Sequence, residues 1–95
     1  MKNNRREKVL LYVIDGLQGM IDKGFLPQKI FTEKGKVLRY SISAKGKKML
    51  KKLKPEPTPD EIIGTIIDMS DSGLIDKYMA KKCTKDFGDE FFIKN

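Results

Sequence analysis

Residues 28–43 read QKIFTEKGKVLRYSIS, and the way this stretch folds decides the class of the whole chain. On its second arm Leu38, Tyr40 and Ile42 alternate with Val37, Arg39 and Ser41, the period of two that sends successive side chains to opposite faces of a strand. Glu33, Lys34, Gly35 and Lys36 supply a turn in which Gly35 can take positive φ. The stretch therefore reads as a β-hairpin with a basic tip, and the expected fold class is α+β.

Upstream of it, Val9, Leu10, Val13, Ile14, Leu17, Met20 and Ile21 recur at three-and-four spacing, which predicts a long N-terminal helix over about 4–23 closed by Gly24 as a left-handed cap. Downstream, Ser43 stands at the N-cap position of a helix over 44–54, with Met49, Leu50 and Leu53 on its apolar side and lysine elsewhere. Thr58, Pro59, Asp60 and Glu61 open the next helix: a capping threonine, proline in the first turn, acids at the positive end of the dipole and Glu61 in place for a capping box. After an interruption at 70–73 a third short helix ends near Lys82, and the tail at Glu90, Phe91, Phe92 and Ile93 favours an edge strand on the hairpin. At an offset of 49 the chain echoes itself: Ile14, Leu17, Met20, Asp22, Gly24, Phe25 and Leu26 meet Ile63, Ile66, Met69, Asp71, Gly73, Leu74 and Ile75. Duplication and coincidence between two amphipathic helices both account for it.

A chain of 95 residues has room for one domain with a modest core, which excludes a large catalytic scaffold. Its net charge of +7 averages two unlike halves. Residues 1–54 carry 15 basic and four acidic side chains, whereas residues 55–95 carry five and nine. The sequence thus divides into a basic half at 1–54, a proline connector at 55–59 and an acidic helical half at 60–95, all within a single compact domain. Three prolines in the connector enforce extended backbone.

The longest apolar run, 9–14, is six residues against the roughly 20 that span a bilayer, so no membrane partner and a cytoplasmic location are expected. With no histidine and one cysteine, Cys83, the chain lacks a Cys/His zinc set and a histidine base. No nucleotide-binding loop or facing acid pair appears, and Asp86-Phe87-Gly88 lacks the other kinase motifs it would need. No metal, no cofactor and no enzymatic activity are expected.

From Leu17 to Leu53, a helix ending in Gly24, Phe25 and Leu26, a strand, the Lys34-Gly35-Lys36 turn, and then Tyr40, Ile42, Ser43, Gly46 and Leu50 at their spacing resemble winged-helix transcriptional regulators. The likeness covers about residues 17–53. It implies a recognition helix, a basic wing and a following helix, hence a DNA-binding regulator. The chain has room for one helix before the hairpin, where such regulators carry more.

Charge alone supports the same partner, double-stranded DNA. Lys34, Lys36 and Arg39 at the hairpin and Lys45, Lys47 and Lys48 on the next helix can reach phosphates, and Arg5, Arg6 and Lys8 at the start of the first helix can approach base edges or backbone. The plainer alternatives are a solvated lysine face and a basic N-terminus that serves solubility. Ile62, Ile63, Ile66, Ile67, Leu74, Ile75, Tyr78 and Met79 form either a homodimer face or the monomer core. A rival function is a small adaptor or inhibitor that docks on a host protein complex through one charged half.

Overall fold

The computed structural model describes residues 3–86. Its elements are α1 (Asn3–Asp22), a 3-10 turn at Gln28–Ile30, α2 (Glu33–Tyr40), α3 (Ala44–Lys51), α4 (Pro59–Asp71) and α5 (Lys77–Asp86). Among the described residues there is no β-strand, and the one β-type pairing is an isolated antiparallel bridge between Phe31 and Ile75. The expected α+β class with a winged-helix hairpin is thereby overturned. The fold is helical, and residues 33–40 form α2. The tail at 90–93 lies outside the described residues.

The cause of the correction is local. Thr32 adopts extended backbone and its Oγ1 accepts from the Gly35 N–H at 3.2 Å, while the Lys36 N–H donates to the Thr32 carbonyl at 2.9 Å, so Thr32 caps a helix where a hairpin would need a strand to continue. Glu33 adds a negative charge at the positive end of that helix. Leu38 and Ile42 do point inward as a strand reading requires, but they are four residues apart and satisfy a helical period equally well. Tyr40 tells the two apart: a strand would bury it beside them, whereas it is 82% exposed, with Val37 at 69%. Gly35 makes no turn. It is buried inside α2, where a Cβ would run into the Leu74 backbone carbonyl.

α1 is the central element, packing against α4 on one side and against α2 and α3 on others. Val9, Val13, Ile14, Leu17, Met20 and Ile21 are all buried, as their spacing predicts; Leu11 is buried too, because a helix with neighbours on several sides hides more than one stripe. Ile62, Ile66 and Met69 of α4, with Leu74 and Ile75, fill the other half of one core. The basic and acidic halves therefore share their apolar interior.

The offset of 49 is visible in three dimensions. Gly24 and Gly73 take φ of 81° and 80°, and in each copy the next N–H reaches back to the carbonyl of a methionine, Phe25 to Met20 at 2.9 Å and Leu74 to Met69 at 2.8 Å. Both are left-handed helix caps that only glycine adopts without strain. The loops they launch meet at the bridge, where Thr32 N–H donates to the Leu74 carbonyl at 3.1 Å and Asp76 N–H to the Ile30 carbonyl at 2.9 Å. Thr32 Oγ1 also donates to the Gly73 and Leu74 carbonyls, so one threonine caps α2 and ties it to the loop before α5.

Candidate nucleic-acid interface

α2, a turn at 41–43 and α3 form a helix-turn-helix corner. Its tightness has a specific source: Gly46 of α3 is buried, and a Cβ there would meet the Ser41 carbonyl, so the absence of a side chain lets α3 lie against the end of α2. Ser43 occupies the N-cap position, though its side chain makes no capping bond. Met49, Leu50 and Leu53 turn α3 inward. That fixes the opposite surface, where Lys45, Lys47, Lys48, Lys51, Lys52 and Lys54 are all exposed. Among the described residues the ion pairs are Arg5 with Glu61 and Arg6 with Asp68, and none of the α3 lysines has a carboxylate partner.

The other basic candidates separate into different environments. Arg5 is engaged inside the molecule: its guanidinium donates twice to Glu61, at 2.9 Å each, and once to the Pro55 carbonyl at 3.1 Å. Arg6 lies 3.7 Å from Asp68 with both side chains exposed. Lys8 is half-buried on α1. Lys34 reaches the Ser72 carbonyl at 3.5 Å. Lys36 and Arg39 line a separate depression together with Gln18, Gln28 and Lys29, and the Arg39 guanidinium sits 5.1 Å from the centre of the Phe31 ring. The structure thus places Lys45, Lys47 and Lys48 together on α3, whereas Arg5 and Arg6 are turned to the carboxylates of α4.

Arg5 has a structural task. Glu61 closes the expected capping box on α4, accepting from the Thr58 N–H at 3.1 Å while Thr58 Oγ1 accepts from the Glu61 N–H at 3.2 Å. Arg5 then clamps that carboxylate from α1, and its hydrogen bonds, followed by the Thr58 N–H, hold the Glu61 carboxyl down at about 2. The stability this supplies is present above the ordinary carboxylate pKa of about 4.5 and is lost as pH falls through about 2. In Arg5→Ala the Glu61 carboxyl should titrate closer to 4.5, remaining below it because Thr58 still donates. The stability gap from the native protein should be constant above pH 5 or so and close towards pH 2. Carboxyl titration by NMR and thermal unfolding across that range check both.

Of the apolar residues expected at a dimer face or in the core, Ile62, Ile66, Leu74 and Ile75 are core, and Ile63 and Met79 are partly covered. Ile67 and Tyr78 stay outside, 51% and 76% exposed, along a groove between α4 and α5. Sequence reasoning missed Tyr40 as a fully exposed surface group, and it missed Gln18, Gln28 and Lys29 altogether. Only the exposure that follows from the helical period at Tyr40 could have flagged it. Among the described residues no helix is long and apolar enough to cross a membrane. No family model matches the chain, and comparison with curated proteins and solved structures finds no match.

Proposed function

We propose that this protein is a non-enzymatic DNA-binding protein that grips duplex DNA with its α2-turn-α3 corner. The observation that carries the reading is the exposed face of α3, on which Lys45, Lys47, Lys48 and Lys51, continued by Lys52, have no carboxylate partner among the described residues. In helix-turn-helix proteins the second helix enters the major groove. Here α3 is that helix, its inner side packs on the core while its lysine side faces solvent, and Tyr40 at the end of α2 offers a hydroxyl to the flanking backbone. Lysines at this density supply phosphate contacts more than base discrimination, so affinity is broad in sequence and sensitive to salt.

Titrating isotope-labelled protein with a random duplex tests this residue by residue. Amide shifts should concentrate at 40–52 and leave 60–71 of α4 unmoved. Saturable shifts confined to α4 and α5 would refute the reading and favour an adaptor that docks on protein. The absence of any saturable shift would refute it outright.

A further inference from the structure

Between α4 and α5 runs a groove of about 630 Å³, lined by Ile66, Ile67 and Asp71 from α4 and by Lys77, Tyr78 and Lys81 from α5. We propose that it seats a second copy of this chain, in a two-fold dimer whose axis runs along the groove. Ile66 is buried, whereas Ile67 and Tyr78 are exposed, so the groove presents apolar surface to water. The internal repeat shows that the fold does not require this. At the offset of 49, Ile67, Lys77 and Tyr78 correspond to Gln18, Gln28 and Lys29, which line the depression beside α1. One half of the chain carries polar side chains at these positions and the other an isoleucine and a tyrosine. The apolar character of the second groove therefore answers to a contact outside the monomer.

Charge selects the occupant. Asp71 closes α4 and Lys77 opens α5, so each sits at the helix end that its charge disfavours, and neither has an ion-pair partner among the described residues. Asp76, next to Lys77 in the chain, is committed to capping α5: its Oδ1 accepts from the Met79 N–H at 3.1 Å. The acid thus lies on one wall of the groove, and Lys77 and Lys81 lie on the other. A two-fold axis along the groove exchanges the walls, laying α4 of each copy over α5 of the other. Asp71 of one copy then faces Lys77 and Lys81 of the other, twice by symmetry, and both misplaced charges gain a partner. A groove of one sign would repel its own copy, whereas this one is complementary to itself. Its lining residues all come from α4 and α5, so the lysine face of α3 stays open in the dimer.

The test is sedimentation velocity of the full chain without DNA, so it stands or falls independently of DNA binding. The mass should rise from 10.9 kDa towards twice that value as concentration increases across the micromolar range. Asp71→Lys, and separately Lys77→Glu with Lys81→Glu, set like charges against each other across the axis and should each weaken self-association by at least about tenfold. Mixed in equal amounts, these two proteins should associate again, because every facing pair is then opposite in sign. Tyr78→Ser, which changes no charge, should also abolish association. All these positions are exposed, so the variants should unfold as the native chain does. A native chain that stays monomeric at every concentration would overturn the proposal, whether the groove is then covered by another protein or by another segment of the same chain. So would a mixture that fails to associate, or association that survives Tyr78→Ser and both charge reversals unchanged.

Discussion

Gly35→Ala should destabilise the protein by about 1–3 kcal/mol, lowering its melting temperature by roughly 10 °C, even though alanine is the better helix former. A Cβ at Gly35 would run into the backbone carbonyl of Leu74, with the Phe31 ring close by at 3.2 Å. A flexible side-chain tip could swing away, but this carbonyl accepts the Thr32 N–H and the Thr32 hydroxyl and is part of the bridge that joins the loops. Relief therefore requires α2 to lift from the body, exposing Phe31 and Ile30. The gain in helix propensity, about 1 kcal/mol, is smaller than that cost. Gly64→Ala is the matched control: Gly64 also sits within a helix, has nothing within 4 Å of a Cβ, and should gain stability by up to about 1 kcal/mol. Thermal unfolding of the pair separates packing from propensity, and a neutral or stabilising Gly35→Ala would remove the support for α2 as described.

Neutralising Lys45, Lys47 and Lys48 together to glutamine should weaken duplex DNA by roughly 10²-fold at low salt, at about 1 kcal/mol for each lost phosphate contact. These lysines are exposed on α3 and have no carboxylate partner among the described residues, so their replacement breaks no ion pair there, and unfolding should be unaffected. Lys77→Gln with Lys81→Gln removes charge from exposed positions on α5 and should change affinity little. If both sets of substitutions cost the same, the protein attracts DNA by its net charge and has no face for it. The measurement is fluorescence anisotropy against one duplex.

What the sequence made legible was whatever depended on neighbours along the chain. The long apolar period of α1, the glycine cap at 24, and the Thr58 to Glu61 capping box can each be read within a few residues, and each is present. The hairpin at 28–43 was misread because Leu38 and Ile42 are compatible with two periods, and because the packing role of Gly35 is set by Leu74, 39 positions away. The same holds for the site. Lysines 45, 47 and 48 sit on one helix and could be grouped by spacing, whereas the engagement of Arg5 by Glu61 spans 56 positions and leaves no local trace. Charge segregation between the halves was legible as a sum, yet among the described residues the ion pairs it produces, Arg5 with Glu61 and Arg6 with Asp68, place the N-terminal arginines against the acidic α4 and leave the α3 lysines without a carboxylate partner. The basic surface that remains for a polyanion is accordingly narrower than the net charge of +7 suggests, and it is centred on one short helix.

The salt dependence of duplex binding tests the central claim most directly. With about six phosphates neutralised by the α3 face and its surroundings, log K should fall against log salt with a slope of roughly −5, and the Lys45, Lys47, Lys48 variant should flatten it to about −3. A native slope near zero, or one that the variant leaves unchanged, would contradict DNA binding through α3.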